Sequence, residues 1–263
     1  MNKHQVILLV VGVILVLVLY NLPRVVVEND QITNVKPHDL NVSDTDNEVI
    51  ISLQNQLSDL SDKKKSINFA DSLASLFLKY QLVDSAGKYA ELILSLDSSA
   101  LGVYRAGMIY YQAFENAAGG DNAILLAEKA RAQLEKLLLN NKEDAFLKNK
   151  IAMTLMVSEN PMQGVMMLRE VLEKDPENRE AIFNLGLLAI RSGQYDRAQV
   201  RFEKLIEQNT EDHEAYFYLG VSFVESGQNE KAIEAFAKYM TFEKADAALK
   251  ATASNYIKEL ENI

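Results

Sequence analysis

NLGLLAIRSGQYDRAQVRFEKL, residues 184–205, is followed closely by LGVSFVESGQNEKAIEAFAKYM, residues 219–240. Leu-Gly, Ser-Gly-Gln and Ala-x-x-x-Phe occur in both stretches, and each recurs at an offset of 34 residues. The paired positions are Gly186 with Gly220, Gly193 with Gly227, Gln194 with Gln228, Ala198 with Ala232, and Phe202 with Phe236. The apolar residues between them follow a helical spacing, and no segment alternates as a β-strand does. The chain therefore repeats one helical unit.

The repeated unit resembles the tetratricopeptide repeat (TPR), which places Trp-x2-Leu-Gly-x2-Tyr, Ala-x3-Phe and Pro within about 34 residues. Leu185-Gly186 and Leu219-Gly220 occupy its Leu-Gly places. The chain departs from the pattern at three places: Trp is replaced by Ile182 and Tyr216, Tyr by Ala189 and Phe223, and Pro by Thr210 and Lys244. One period earlier, a weaker copy ends at Pro176, where the family's proline is expected. The best repeats are therefore 145–178, 179–212 and 213–246.

The resemblance implies an all-α fold, a right-handed solenoid of stacked helical hairpins, because one pair of helices cannot bury its own apolar face. Gly and Ala are expected where helices cross closely, and Phe is expected to fill the gap to the next unit. We predict that the TPR-like domain covers residues 48–263. Its part over 66–144 fits the period only with roughly 11 inserted residues, which predicts longer helices there. Residues 247–263 are expected to cap the last pair through Ala253, Ile257 and Leu260.

The N-terminal segment VILLVVGVILVLVLYNL, residues 6–22, carries no charged side chain. As a helix it would be roughly 25 Å long, at the short end of what crosses a bilayer core. No Ala-x-Ala cleavage pattern follows it, so we predict an uncleaved transmembrane signal anchor over residues 1–24 in preference to a cleaved signal peptide. Residues 28–47 are polar and acidic without helical periodicity, and we predict that residues 25–47 form a flexible tether.

The orientation in the membrane rests on few charges. Lys3 precedes the apolar segment and Arg24 follows it, so the side chains balance. The α-amino group and the very short N-terminal tail favour a cytoplasmic N-terminus under the positive-inside rule. We therefore expect a single-pass protein whose repeat domain lies outside the cytoplasm, on the periplasmic face of a bacterial inner membrane.

The composition argues against several functional classes. The formal net charge is −10 and the pI is near 4.9, which disfavours binding to nucleic acid. Cysteine is absent, so disulfides, thiolate zinc sites and cysteine nucleophiles are excluded. The histidines are His4, His38 and His213, and no phosphate loop, Gly-x-Ser-x-Gly or His-Glu-x-x-His motif occurs. We expect no catalytic residue, no metal and no cofactor.

The resemblance further implies a concave groove lined by the first helix of each pair, where proteins of this family bind peptides or other protein segments. The repeat frame gives these groove residues: Asn149, Met153, Met156, Phe183, Asn184, Leu187, Arg191, Phe217, Tyr218, Val221 and Glu225. Asparagine amides can bond a peptide backbone in both senses, and aromatic side chains provide contact area at little entropic cost. Simple packing in the core is the competing interpretation for each of these residues.

Two non-enzymatic functions follow as alternatives. In the first, the protein is a membrane-anchored scaffold or assembly factor that binds protein partners in this groove, and anchoring raises their local concentration. In the second, it is a structural envelope protein that associates with itself as a homo-oligomer and has no separate peptide ligand. Some family members hold a C-terminal carboxylate with a clamp of Lys, Arg and Asn. That clamp is not matched, since its places hold Glu180, Asn184, Glu214 and Tyr218.

Overall fold

The computed structural model describes residues 42–57 and 62–262. Within these ranges the chain forms twelve α-helices and no β-strand. The helices are α1 (Asp44–Leu57), α2 (Lys63–Lys79), α3 (Val83–Leu96), α4 (Ala100–Asn116), α5 (Gly120–Leu138), α6 (Ala145–Leu155), α7 (Pro161–Lys174), α8 (Arg179–Arg191), α9 (Tyr195–Gln208), α10 (His213–Glu225), α11 (Asn229–Met240) and α12 (Ala247–Glu261). The predicted all-α helical-repeat fold is confirmed for this part of the chain. Helices α4 and α5 have 17 and 19 residues, against 11 to 14 in α6 to α11, as the insertion predicts.

Four helices begin at a capping side chain that recurs with the repeat. Asp144, Asn178, Asp212 and Asp246 are 34 residues apart, and each accepts a hydrogen bond from the backbone N–H three residues further on. Such caps satisfy amides that no carbonyl within the helix can reach. Local chemistry therefore sets the start of α6, α8, α10 and α12 at one fixed spacing.

The hairpin turns of the two best repeats use glycine. Gly193 and Gly227 have φ of 69° and 73°, in the left-handed region that side chains with a β-carbon rarely adopt. Each residue lies just beyond the C-terminal end of a first helix, α8 or α10. The turns can therefore be short, which places the two helices of a pair side by side.

The helices stack in chain order. Each helix packs against the next, from α1 to α12. The first helices of successive pairs, α2, α4, α6, α8 and α10, also contact one another in sequence, whereas the second helices of the described part do not pack on one another to this extent. Among the consecutive pairs, α7 and α8 make the thinnest junction.

Phenylalanine and glycine fill the centre of the two best repeats. A β-carbon on Gly186 would lie 2.6 Å from Phe202 Cζ, and one on Gly220 would lie 2.7 Å from Phe236 Cε1. The Phe202 ring also stacks on Tyr218 of the next repeat, with ring centroids 5.9 Å apart. Phenylalanine was expected to fill the gap to the next unit. The ring does reach that unit, but it first occupies the space that glycine leaves inside its own pair.

The C-terminal helix α12 caps the stack as predicted. Ala253 is fully buried, and Ile257 and Leu260 pack against the same apolar cluster. The ring of Tyr256 lies parallel to that of Phe236 at a centroid distance of 5.1 Å. Helix α12 therefore covers the last pair in the way that the first helix of a further repeat would.

Helix α1 begins inside the segment predicted to be a tether. Residues 44–47 are helical, and Asp46 Oδ2 accepts hydrogen bonds from Lys79 Nζ and from the Tyr80 hydroxyl, both at 2.6 Å. The expected boundary at residue 48 is therefore four residues too late. Polar composition alone indicates a flexible chain, but here Asp46 binds Lys79 and Tyr80 at the end of α2.

The membrane prediction falls outside the part of the chain that the structure describes. The apolar segment 6–22 and residues 25–41 of the predicted tether are not among the described residues. Within 42–57 and 62–262, no helix combines the length and the hydropathy that crossing a bilayer requires.

Candidate functional site

A groove of about 630 Å³ runs along the first helices α4, α6, α8 and α10. Helix α4 contributes Tyr111 and Glu115, α6 contributes Phe146, Asn149 and Lys150, α8 with its cap contributes Asn178, Arg179, Glu180, Phe183 and Asn184, and α10 contributes Glu214. Because these helices are consecutive first helices of stacked pairs, the repeat itself brings their side chains together.

Two asparagine amides lie in the floor of this groove. Asn149 is 1% exposed, and its Nδ2 donates to Asn178 Oδ1 at 3.1 Å. The amide of Asn178 is oriented by its other bonds, since its Oδ1 also accepts from the Ala181 N–H and its Nδ2 donates to Asp175. Asn149 must therefore present its own Nδ2 to Asn178, which leaves Asn149 Oδ1 buried without a hydrogen-bond partner in the described structure.

An unpaired buried acceptor costs roughly 1–3 kcal/mol, so it is rarely left without a reason. Asn184 lies one repeat further along and is buried apart from 7% of its surface. No described residue bonds its side-chain amide, which keeps both its donor and its acceptor available. Asn184 therefore offers a donor and an acceptor of the kind that a peptide backbone can bond, whereas Asn149 Oδ1 is buried in the groove floor.

Phe183 lines the groove, and two further aromatic rings pack against it. Phe183 meets the edge of Tyr218 at a centroid distance of 5.4 Å and the edge of Phe202 at 5.8 Å. Burial raises the pKa of Tyr218, and the negative charge of Glu214 raises it further. The Tyr218 hydroxyl is therefore a neutral hydrogen-bonding group throughout the physiological pH range.

The cations of the groove are neutralised by carboxylates of the same chain. Lys150 Nζ lies 2.9 Å from Glu180 Oε1 and 4.7 Å from the ring centre of Tyr111. Arg179 donates to both carboxylate oxygens of Asp212 at 2.9 Å and to Glu214 at 2.7 Å. The bonds to Asp212 raise the pKa of Arg179 above its usual range. No cation described in the groove is left for a ligand's carboxylate, so hydrogen bonding and aromatic contact dominate.

The eleven sequence-predicted groove residues divide into several environments. Asn149, Phe183 and Asn184 line the groove, and Tyr218 packs against Phe183 at its wall. Phe217 is 5% exposed, and its ring packs on Phe236 and Tyr239 in the core. These placements follow from rotation around the helix, since Phe217 and Tyr218 point in directions roughly 100° apart.

The remaining predicted residues lie away from the groove. Met153, Leu187 and Val221 are half-buried and pack against apolar clusters. Met156 and Arg191 line a different cleft, between the helical pair α6–α7 and the helical pair α8–α9. Glu225 accepts a hydrogen bond from the Tyr195 hydroxyl at 3.1 Å.

The sequence reasoning missed the charged rim of the groove, formed by Lys150, Arg179 and Glu180. One signal was available, because Arg179 follows the capping residue Asn178 and its partner Asp212 is the cap of the next repeat. The pairing of Lys150 with Glu180 joins two repeats and follows only from the stacking. In the described ranges, no group of three or more His, Asp or Glu side chains is placed to hold a metal ion.

Stacked helical hairpins with a groove along their first helices define the chain as a helical-repeat protein. The family model of the tetratricopeptide repeat matches residues 149–198 and 183–248, so this part of the chain is similar to that family. No curated protein matches the chain.

Solved TPR structures share this fold. TTC0263, a thermophilic TPR protein of Thermus thermophilus, is 13% identical with a TM-score of 0.56, covering 73% of this chain and 99% of its own. The type IV pilus biogenesis factor PilW is 19% identical with a TM-score of 0.52, covering 74% of this chain and 90% of its own. YrrB, a TPR protein with an unusual peptide-binding site, is 24% identical with a TM-score of 0.45, covering 78% of this chain and 98% of its own. At these identities the likeness to TTC0263 and PilW shows the fold alone.

Proposed function

We propose that the protein is a non-enzymatic interaction scaffold that holds an extended segment of a partner protein in the groove along α4, α6, α8 and α10. The observation that carries this proposal is the buried Oδ1 of Asn149, which has no hydrogen-bond partner in the described structure, in a groove that Asn184 also lines. A backbone N–H from the bound segment would complete the hydrogen bonds of Asn149, and a backbone amide would bond both atoms of Asn184.

The rest of the groove suits an uncharged stretch of backbone with apolar side chains. Phe183, packed against Tyr218, offers aromatic surface, and Phe146, which also lines the groove, is 40% exposed. Lys150 and Arg179 are already paired with carboxylates, so a terminal carboxylate would have to displace Glu180 or Asp212. We therefore propose recognition of an internal segment of the partner rather than its C-terminus.

We further propose that residues 6–22 anchor the protein in a bacterial inner membrane with the repeats on the periplasmic side. The support is the absence of charged side chains over this segment. Protease added to sealed spheroplasts tests the orientation. Digestion of the repeats supports a periplasmic domain, and full protection of intact repeats contradicts it.

Photocrosslinking in native membranes tests the groove. The crosslinking residue p-benzoylphenylalanine replaces Phe146 in the groove and, as a control, Met240 on α11, because their exposures are 40% and 39%. We expect a defined partner protein to be captured from position 146 only, and capture to be lost when Asn184→Ala and Tyr218→Ala are added. Equal capture from both positions would contradict the proposed groove. Capture of a second copy of this chain alone would assign the protein to the self-associating structural class instead.

A further inference from the structure

A second cleft, of about 490 Å³, opens at the thin junction between α7 and α8. Its floor is apolar and includes Val165, Leu185 and Leu188. Four arginines surround it: Arg169 on α7, Arg191 at the end of α8, and Arg197 and Arg201 one turn apart on α9. We call this surface the arginine cleft. It shares no lining residue with the groove and lies near the C-terminal end of the first helix α8.

The arginines of this cleft have no carboxylate partners in the described part of the chain. Arg197 donates to the side-chain oxygen of Gln194, and Arg201 donates to the Arg197 carbonyl at 2.9 Å. Glu159 is the carboxylate that lines the cleft, and it forms no ion pair there. By contrast, Arg105 and Arg179 elsewhere in the stack are paired with acidic residues.

This concentration of positive charge occurs in a chain of net charge −10, where carboxylates outnumber cations. Burial lowers the pKa of Arg201, and the nearby charges of Arg197 and Arg169 lower it further. The guanidinium groups therefore repel one another in a partly dry setting. A bound anion would remove that repulsion and form bidentate hydrogen bonds, for which guanidinium is well shaped.

The arginine cleft continues along the surface of α9. A neighbouring depression of about 430 Å³ shares Arg197 and Arg201 with it and adds Leu172, Ile182, Asp196, Val200 and Lys204. Val200 is 65% exposed there. The two depressions together present apolar and cationic side chains from α7, α8 and α9, which suits a chain segment better than a compact small molecule.

We propose that the arginine cleft binds an acidic peptide segment of a partner protein. One apolar side chain of that segment packs on Leu185 and Leu188, and flanking carboxylates pair with Arg169, Arg197 and Arg201. This is a second binding surface beyond the groove, and it selects by charge where the groove selects by backbone hydrogen bonds. A partner could occupy both at once, or two partners could bind independently.

Fluorescence anisotropy on the full chain in non-ionic detergent tests this proposal. The probes are a panel of short labelled peptides that alternate Glu or Asp with Leu or Phe, each matched by a peptide with Gln or Asn at the acidic places. A second matched set replaces Leu and Phe by Ser. We expect binding only of peptides that carry both acidic and apolar side chains, weakening steeply with added salt.

The variant Arg197→Gln with Arg201→Gln should weaken this binding by roughly 10- to 100-fold, the range that losing charge-assisted hydrogen bonds predicts. The matched control is Lys64→Gln with Lys88→Gln, which removes the same charge from exposed sites outside the cleft and should stay within about twofold. Binding that both double variants reduce equally would show unspecific attraction and overturn the proposal. So would the failure of every acidic peptide to bind, or binding of dodecyl phosphate alone, which would assign the cleft to an anionic lipid. The variant Tyr218→Ala should leave peptide binding to the cleft unchanged, so this result is independent of the groove.

Discussion

Phe202 Cζ lies 2.6 Å from the point where a β-carbon on Gly186 would stand. The ring has no room to withdraw, because Phe202 is fully buried and is enclosed by Phe183 and Tyr218. The close crossing of α8 and α9 thus depends on a residue without a side chain. The same relationship recurs between Phe236 and Gly220, one repeat further along.

Substitution of this glycine should therefore destabilise the repeat. We expect Gly186→Ala to lower the free energy of unfolding by about 1–3 kcal/mol, the cost of overpacking a core. The control is Gly87→Ala in α3, whose new β-carbon would meet nothing closer than 3.7 Å. It should be neutral or stabilising by about 0.5–1 kcal/mol, because alanine is the better helix former. Urea denaturation of both variants measures this, and equal losses would contradict the proposed clash.

The capping residues should differ in importance although they occupy equivalent positions. Asp246→Ala removes a cap alone and should cost about 1 kcal/mol. Asp212→Ala removes a cap and also the bidentate partner of Arg179, so we expect roughly 1–2 kcal/mol more. Thermal denaturation of the two variants side by side provides the comparison. If the two variants lose the same amount, the Arg179 contact contributes nothing measurable.

The ring of Tyr256 in the C-terminal helix α12 should contribute to the stability of the stack. Tyr256→Ala uncovers Phe236 and should lower the unfolding free energy by about 1–3 kcal/mol. Tyr256→Phe retains the stacked ring and should change it by less than about 0.5 kcal/mol. Circular dichroism during urea titration distinguishes the two. A large loss in the phenylalanine variant would show that the hydroxyl, and not the ring, is what matters.

Acid should detach α1 from α2. The hydrogen bond from Lys79, followed by that from Tyr80, lowers the pKa of Asp46 below its ordinary value of 3.8. Because the folded-state pKa is below the unfolded one, the contact contributes fully above the unfolded value and is lost as the pH falls through the folded pKa. We expect amide hydrogen exchange in α1 to quicken selectively below pH ~4. The variant Asp46→Asn should show fast amide exchange in α1 already at neutral pH. Exchange rates in α1 that change neither with acid nor with this substitution would contradict this account.

Substitution of Asn149, whose Oδ1 is the unpaired acceptor in the groove, should affect partner binding more than stability. Asn149→Leu replaces a buried amide by an apolar group of similar size, so the free energy of unfolding should fall by no more than about 1 kcal/mol or should rise. Crosslinking of the partner from position 146 should be strongly reduced in the same variant. A marked loss of stability with unchanged crosslinking would mean that Asn149 serves the fold alone.

The sequence predicted the repeat period, the helix pairs and the cap, because these depend on local spacing and on residues such as Gly186 and Gly193. The sequence predicted that Phe217 lines the groove, whereas its ring is buried. The repeat spacing identifies equivalent positions on the helices, but it does not say towards which neighbour each side chain points. The pairing of Lys150 with Glu180 and the convergence of the cleft arginines join different repeats. Because the residues of each set lie in different repeats, no sequence pattern within a single repeat predicts either contact.

The capping residues also carry the repeat period in the sequence. Asp144, Asn178, Asp212 and Asp246 follow the period as strictly as the glycines, and Asp246 carries it into α12. A short polar residue at a fixed offset is easily taken for loop composition. Interpreted as helix caps, these four residues would have shown that α12 begins in register with the repeats.

The thin junction between α7 and α8 has a mechanical meaning. In a linear array each unit is held only by its neighbours, so cooperativity passes from hairpin to hairpin through their shared faces. Where one such face is sparse, the array divides into blocks that can melt or bend separately. Arg169, Arg197 and Arg201 lie at this junction, so a ligand that binds both α7 and α9 would also couple the unfolding of the two blocks.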